Sequence, residues 1–513
     1  MPRQLNEVSC RPFDVDEFTH VVLNASGAAP GDTPGEQVSY LQRYASRLGA
    51  RTLVIEEHYV DRHFTEEFSL YYARCLKPPS SVCQRIHFFA HELTNGQLDA
   101  LLKRACESVA GKEAVETELN TFYLGFVVIR PVPHVPIGRS ILRPLEDRAE
   151  RRILSTTRNT VHLLGLELEL TGLAFQQQDR AVGACATAAL WMAMSRAARL
   201  EGSRAPTPAF IAEAASRAIS EGRPLPSRGL TFGQITSAVR ECGFAPEVLR
   251  VTGSPGNFLA MVFCYLRSGI PVVLVIGNDD TGEAHAVTAV GYRLGPPRSE
   301  FEPMLPTQRL ATRSMRIEQL YVHDDQLGPY ARASLQLRPI PLHQGEAGTT
   351  QGLYLDVERD EGESKEPQLV RVAIIPVYPK LRVSAEDIWP MATHFTGVIE
   401  YQREEDTVEC EMFFIRAGSY LEELVKLRAE HDLSLPEERL VLFMKTVALS
   451  RWVCVIRWWS GDERPLADFL YDTTDVVREP ARVESHLLGM VALEPGLRSH
   501  LVVYGGDWGV PVL

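Results

Sequence analysis

The sequence has no apolar run long enough to cross a bilayer and no secretion signal at its start. A membrane helix needs about 20 consecutive apolar residues, and no segment of the 513-residue chain approaches that length. The first residues, MPRQLNEVSCRPFDVDEF, are polar and acidic, whereas a signal peptide begins with a basic end and an apolar stretch. These absences predict a cytoplasmic protein with no membrane partner.

Paired cysteines and an excess of basic residues are also missing. The nine cysteines are scattered, odd in number and never spaced as C-x-x-C, which argues against a disulfide framework and against a structural zinc site. The formal net charge of -13 argues against a nucleic-acid-binding surface, because phosphate contacts need a clustered basic face. We therefore predict no nucleic-acid partner, no metal and no cofactor.

What is present is the length and composition of a folded protein with several domains. A chain of 513 residues is too long for one core, and 45% hydrophobic with 23% charged residues is ordinary for a folded protein. A proline-rich stretch over 130–148 and a stretch rich in Gly, Asp and Glu over 343–368 mark two boundaries. They predict an N-terminal domain over 1–145, a central domain over 146–343, an acidic and glycine-rich linker or loop over 344–368, and a C-terminal domain over 369–513.

The two end domains mix strand patterns with helix patterns. The segments RTLVIEEHYV, FYLGFVVIRPV, LVRVAIIPVYP and LSRWVCVIRWW are rich in β-branched and aromatic residues, as strands are. The segments EEFSLYYARCL, NGQLDALLKRACESV and SYLEELVKLRAEH have apolar residues at helical spacing. The predicted fold class is therefore α+β, and neither end domain indicates a function by itself.

The central domain has helices first and strands after them. One helix is predicted to begin near Cys185 and to end near Leu200, and its first ten residues are small or apolar on every face, which fits a helix buried between two layers. Further helices are predicted in TPAFIAEAASRAISEG, with Thr207 as N-cap and Pro208 at the first position, in LTFGQITSAVRECG and in FLAMVFCYLRSG. The strands IPVVLVIG, HAVTAVGYR and QLYVHDDQLGPY come last.

Residues suited to thiol chemistry lie at the ends of these elements. Cys185 follows a Val-Gly-Ala turn at a helix N-terminus, where the helix dipole favours the nucleophilic thiolate. His285 opens a strand directly after a polar loop, and Asp324 ends the next strand, so antiparallel pairing can place the carboxylate beside the imidazole. A side-chain amide from the run Gln176-Gln177-Gln178 and the backbone N–H of Cys185 can stabilise an oxyanion.

This order of residues resembles that of papain-like cysteine peptidases, in particular the bacterial branch that includes the bacteriocin leader (double-glycine) peptidases. That branch has Cys-Gly-x-A-A-L at the nucleophile, where this chain has CATAAL from Cys185, and it has H-A-V-x-x-V-G-Y, which begins here at His285. A turn similar to D-P-x-x-x-G corresponds to DDQLG from Asp324. The resemblance covers 176–329, under a third of the chain.

The resemblance implies a papain-like central domain, with a helical half that carries the nucleophile helix and an antiparallel sheet half, flanked by two mixed α/β domains. It implies Cys185 as nucleophile, His285 as base, Asp324 as the residue that orients the base and Gln178 as oxyanion donor. The chain departs from the family at Ala186, which replaces a glycine, and in the spacing from Gln178 to Cys185, which is about one residue longer. The long segment between the histidine and the aspartate predicts a substrate-recognition loop or an arm onto another domain.

The predicted function is a cysteine peptidase that hydrolyses a peptide or protein amide bond through an acyl-enzyme. Two alternatives use the same residues differently. One is an acyltransferase or transpeptidase with the same triad. The other is a catalytically inactive papain-like scaffold or sensor whose flanking domains bind a protein partner.

Some residue assignments stay open at this level. Gln177 is an alternative to Gln178, and Asp325 is an alternative to Asp324. His323 is an alternative base, although its strand position should point it to the opposite face.

A second histidine pair does not predict a metal site. His87 and His91 are four residues apart, but the intervening sequence HFF is strand-like, so a shared zinc-binding helical face is not expected.

Overall fold

The fold is known from a computed structural model. It describes residues 7–146, 150–178, 185–218, 229–251, 254–277, 284–296, 311–341, 349–359, 366–400, 408–433, 435–474 and 486–513. No helix among these residues is both long enough and apolar enough to cross a membrane.

Helices and strands are interspersed along the described chain. The strands are Val8–Pro12 (β1), Thr52–Tyr59 (β2), Cys83–Phe89 (β3), Tyr123–Ile129 (β4), Ile137–Leu142 (β5), Arg151–Arg152 (β6), Thr157–Leu163 (β7), Leu166–Gly172 (β8), Ala174–Phe175 (β9), Ala245–Arg250 (β10), Val272–Gly277 (β11), Ala284–Leu294 (β12), Ile317–Asp324 (β13), Gly328–Pro341 (β14), Thr349–Val357 (β15), Gln368–Val377 (β16), Glu409–Arg416 (β17), Trp452–Trp459 (β18), Pro465–Asp472 (β19) and Leu487–Ala492 (β20). The helices are Val15–Ser26 (α1), Glu36–Arg47 (α2), Arg62–Leu70 (α3), Asn95–Glu107 (α4), Val109–Phe122 (α5), Cys185–Leu200 (α6), Pro208–Arg217 (α7), Phe232–Glu241 (α8), Pro255–Arg267 (α9), Ala385–Glu400 (α10), Ala417–His431 (α11), Glu437–Thr446 (α12) and Arg498–Trp508 (α13).

A six-stranded sheet in the order β1-β2-β3-β4-β5-β9 organises the N-terminal part. Successive side chains of a strand point to opposite faces. In β2, Leu53 and Ile55 therefore enter the core that contains α1 and α2, whereas Val54 enters the core that contains α3, α4, α5 and the β7–β8 hairpin. Both faces of this sheet are covered.

The second sheet curls until its strands close on themselves. Its order is β10-β16-β11-β12-β13-β14-β15, with β6 paired to β12. Two residues of β15 also pair with β16, so β16 and β11 to β15 form a ring. This ring carries the two strands on which His285 and Asp324 lie.

Helix α6 lies between the two sheets. Every residue from Ala186 to Met194 is buried, and α6 belongs to the same core cluster as Leu53 of the first sheet and Ala286 and Val290 of the second. The predicted helix buried between two layers is confirmed. This position fixes Cys185, the first residue of α6, against the second sheet.

The third sheet, β17-β18-β19-β20, forms the C-terminal part. One face carries Met412 and Ile456 into the core shared with α9, α10 and the second sheet. The opposite face carries Phe413 and Val455 into a smaller core with α11 and α12. The C-terminal sheet is thus packed directly onto the central part.

The described residues confirm the mixed α+β class. Helix α7 begins as predicted, since the Thr207 hydroxyl accepts a hydrogen bond from the backbone N–H of Phe210 and Pro208 occupies the first helical position. Strand β10 was not predicted, and it interrupts the expected succession of helices. Its pairing partner is β16, more than a hundred residues later, so no local pattern marks it.

The prediction of a linker or loop over 344–368 is wrong for the residues Thr349–Val357, which form β15. Thr349–Val357 pairs with β14 along its whole length, because strand pairing satisfies its backbone groups in spite of the polar composition. Sheet pairing also continues past the predicted boundary at 369, since β16 lies between β10 and β11.

Candidate active site

Cys185 is the first residue of α6 and is partly exposed, unlike the nine residues after it. The buried residues of α6 fix the position of the helix. They therefore also fix the position of the thiol at its N-terminus. The predicted turn Val182-Gly183-Ala184 lies outside the described residues. Hydrogen-bonding contact between the Cys185 side chain and the His285 side chain joins the helix to the sheet.

His285 lies at the start of β12, opposite Ile276 of β11. Its Nε2 is 2.8 Å from Oδ1 of Asp324, and its Nδ1 is 3.4 Å from Nε2 of Gln326. Nε2 therefore faces the carboxylate, and Nδ1 lies on the opposite side of the ring, beside Gln326. The imidazole side chain is only 11% exposed, so these contacts fix its orientation.

Asp324 ends β13, next to β12 in the sheet. Its Oδ1 also accepts a hydrogen bond of 2.9 Å from the backbone N–H of Gln326, and its side chain is 3% exposed. The carboxylate therefore has two donors that hold it toward the imidazole. Antiparallel pairing of β12 and β13 produces this approach, as the sequence predicted.

The opposite charges of His285 and Asp324 stabilise each other. Burial alone lowers the pKa of His285, but the charge and hydrogen bond of Asp324, together with the Cys185 contact and Asp325, outweigh burial and hold the pKa well above its usual value. Burial alone raises the pKa of Asp324, but His285 outweighs it and holds the carboxyl pKa below its usual value. The geometry thus favours an imidazolium–carboxylate pair.

Asp325, the alternative to Asp324, also faces the imidazole. Its Oδ1 is 3.6 Å from Nε2 of His285, and its side chain is fully buried. Burial raises the pKa of Asp325 to about 7, and the negative charge of Asp324 adds to this effect. The structure therefore brings both candidate aspartates to one nitrogen, with Asp324 at hydrogen-bonding distance.

The three candidate glutamines are in different environments. Nε2 of Gln176 donates to Glu67 over 2.7 Å, and Oε1 of Gln177 accepts from the backbone N–H of Ile137 over 3.1 Å. Both side chains are buried, whereas Gln178 is partly exposed. The amide group of Gln176 and the carbonyl oxygen of Gln177 are engaged with N-terminal residues, and Gln178 is the candidate donor nearest in sequence to Cys185.

The alternative histidines lie elsewhere. His323 is fully buried between the rings of Phe175 and Tyr330, and burial lowers its pKa to about 3. His87, in β3, makes hydrogen bonds through its two ring nitrogens with Tyr123 and Glu56. The expectation that His323 points away from the site is confirmed, and His87 has a structural hydrogen-bonding role.

A contact from the N-terminal part supports the turn after Asp324. This contact was not predicted from the sequence. The Tyr40 hydroxyl of α2 donates to the carbonyl of Pro329 over 2.9 Å. A Cβ on Gly328 would collide with the Tyr40 ring, so the glycine is needed for this close approach. The glycine spacing after Asp324 was the available sequence signal, but its partner lies almost 290 residues earlier.

A small pocket of about 30 Å³ lies beside the imidazole and carboxylate. Its walls are formed by the ends of β11 to β13, β15 and β16, with the lining residues Ile276, His285, Asp324, Gln326, Leu355, Val357, Arg359, Glu366 and Gln368. Arg359 forms an ion pair with Glu36 of α2. His285 and Asp324 therefore both border this pocket.

The segment between His285 and Asp324 is described only at its two ends, and 297–310 lie outside the described residues. Its described end meets the C-terminal sheet: the backbone N–H of Cys410 donates to the carbonyl of Ala311, and Arg316 forms an ion pair with Glu409. These contacts agree with the predicted arm onto another domain. The predicted substrate-recognition loop falls mainly on the undescribed residues.

Comparison with known proteins adds no relative. No protein-family model matches the chain. No curated protein matches it either.

Proposed function

We propose that this protein is a cysteine peptidase, or a closely related thiol-dependent amide-bond hydrolase, whose site lies in a papain-like central domain between two mixed domains. The observation that carries the proposal is the chain of contacts from the Cys185 thiol through the His285 imidazole to the Asp324 carboxylate. A thiol at a helix head, a base and an orienting carboxylate are the groups that nucleophilic acyl transfer needs. The proposed substrate is a peptide or a protein.

In the first half-reaction the sulfur of Cys185 bonds to the amide carbon while its proton resides on His285. The imidazolium then gives that proton to the leaving nitrogen as the C–N bond breaks. Asp324 holds the ring in the required orientation. Gln178 and the backbone N–H of Cys185 would donate to the oxygen that becomes negative.

In the second half-reaction water adds to the thioester carbon and gives a proton to His285. The C–S bond breaks, the acid product leaves and the thiol is restored. If an amine takes the place of water, the same groups perform acyl transfer, so the nature of the acceptor separates a hydrolase from a transpeptidase.

The first test compares Cys185→Ala with Cys242→Ala in the full chain. Cys242 is also partly exposed, but burial raises its pKa to about 12 and it contacts no imidazole in the proposed site. Hydrolysis of a mixed fluorogenic peptide library should fall by at least about 10³-fold in Cys185→Ala and should be retained in Cys242→Ala. Undiminished hydrolysis by folded Cys185→Ala would refute the assignment.

Alkylation by iodoacetamide at mildly acidic pH gives an independent readout. Mass spectrometry should find Cys185 modified far faster than the other eight cysteines, because the thiolate reacts and not the thiol. Uniformly slow modification would favour the inactive scaffold. Transfer of the acyl group to an added amine, at a rate above that of hydrolysis, would favour the acyltransferase.

A further inference from the structure

His285 faces two carboxylates at one nitrogen, whereas the proposed reaction uses one. Nε2 lies 2.8 Å from Oδ1 of Asp324 and 3.6 Å from Oδ1 of Asp325. Only Asp324 lies at hydrogen-bonding distance, and the second carboxylate, Asp325, adds a negative charge near the ring. Its presence at this position therefore needs a separate explanation.

Asp325 is a buried carboxylate, and the cationic group that it faces, His285, lies just beyond hydrogen-bonding distance. Its side chain is 0% exposed. Neither oxygen accepts a well-formed hydrogen bond from the described part of the chain, although the backbone amides of Asp325 and Gln326 and the His285 ring lie close to the carboxylate. Burying a carboxylate with so few hydrogen bonds is unfavourable, so the environment favours a bound cation or a proton.

The geometry fits a small divalent metal. One nitrogen of His285 and one oxygen each from Asp324 and Asp325 lie within 4.8 Å of one another. Tetrahedral zinc with bonds of about 2.0–2.2 Å places its ligand atoms roughly 3.3–3.5 Å apart. The two nitrogen–oxygen distances of 2.8 and 3.6 Å bracket that spacing, so small side-chain movements suffice.

A small pocket borders two of these three residues. His285 and Asp324 line the pocket beside the site, and Glu366 lies at the same pocket. The one guanidinium in its wall, Arg359, is ion-paired with Glu36, so its charge is balanced. Cys185 is not among the described residues that line this pocket, so a cation in it would lie beside the pair and away from the thiol.

We propose that His285, Asp324 and Asp325 form a binding site for a divalent transition metal of the zinc class, on the Nε2 edge of the imidazole. The metal bonds to Nε2 and to one oxygen of each carboxylate, and the proton between Nε2 and Asp324 leaves to solvent. No electron is transferred. Metal binding does not rest on the proposed function. The consequence of metal binding, which is that His285 no longer takes part in the proton transfers, does rest on the proposed function.

The test uses full-length, metal-free Cys185→Ala titrated with Zn²⁺ by calorimetry and with Co²⁺ by absorption. One equivalent should bind as tightly as to the unsubstituted chain, and the Co²⁺ spectrum should show no sulfur-to-metal band. Added Asp325→Asn should weaken binding at least about tenfold, the low end of the loss that even outer-shell changes cause. Added His285→Ala should do the same.

Asp356→Asn is the matched control. Asp356 lies in β15 between two residues that line the pocket, Leu355 and Val357, and its carboxylate accepts from Gln336 instead. It should not change the Zn²⁺ affinity. Circular dichroism checks the fold of each variant, and His285→Ala remains decisive if Asp325→Asn does not fold.

Three results would overturn the proposal. The first is no saturable Zn²⁺ binding to Cys185→Ala, which would also show that any site in the unsubstituted chain uses the thiol. The second is unchanged affinity in folded Asp325→Asn or folded His285→Ala. The third is an equal loss of affinity in Asp356→Asn.

Discussion

Asp324 acts on the imidazole of His285 through a hydrogen bond and through charge, and these two effects can be measured separately from folding. The carboxylate is nearly isosteric with an amide, so Asp324→Asn should fold. The charge that holds the His285 pKa above its usual value would be lost. Peptide hydrolysis should fall by about 10²–10⁴-fold, as when a triad carboxylate is neutralised.

The pH profile of this variant has a definite sign. Loss of the anion lowers the pKa of His285, so the imidazolium loses its proton at lower pH. The alkaline limb of kcat/KM should therefore move to lower pH in Asp324→Asn. A loss of less than tenfold with an unchanged pH profile would transfer the orienting role to Asp325.

Gln177 is buried and accepts a hydrogen bond from a backbone N–H, whereas Gln178 is partly exposed, and this predicts different effects of the same substitution. Gln177→Ala leaves the buried N–H of Ile137 without its acceptor, so the free energy of unfolding should fall by about 1–3 kcal/mol. Gln178→Ala should lower kcat by about 10²-fold with little change in KM. Kinetics and denaturant unfolding of both variants are the measurement, and the opposite pattern would reassign the oxyanion donor to Gln177.

At the scale of elements, the turn between β13 and β14 depends on helix α2. A Cβ on Gly328 would enter the ring of Tyr40, so Gly328→Ala should destabilise the protein by about 1–3 kcal/mol, as overpacking does. Adding Tyr40→Ala removes the collision, and the two changes should be less than additive. Thermal unfolding of the single and double variants measures the coupling.

Gly418→Ala is the control for this cycle. Gly418 lies in α11 with open space around its Cα, so alanine should leave stability unchanged or raise it by up to about 1 kcal/mol. Strict additivity of Gly328→Ala and Tyr40→Ala would mean that α2 does not constrain the turn.

At the scale of the whole molecule, the site depends on residues outside the predicted central domain. A fragment over 146–343 lacks β15 and β16, and β16 pairs with both β10 and β11. It also exposes the face of α6 that packs on the N-terminal sheet. We expect this fragment to show no cooperative thermal unfolding, in contrast to the full chain measured in parallel, and a cooperative transition would show that the predicted boundaries define a folding unit.

The sequence by itself determined the features that local patterns encode. The run of small and apolar residues after Cys185 predicted a helix that begins there, because only a helix buried on all sides tolerates such a run. The apolar stretch after His285 and the stretch before Asp324 predicted two strands by composition. The α+β class followed from the same local periodicities.

Tertiary structure alone decided how distant residues meet. It placed Asp325 as well as Asp324 against His285, engaged Gln176 and Gln177 with N-terminal groups, and inserted β16 between β10 and β11. It also showed why residue 328 is a glycine: a Cβ there would collide with the ring of Tyr40. These outcomes depend on strand pairing and close packing between residues up to hundreds of positions apart, and periodicity within one segment carries no information about its partner.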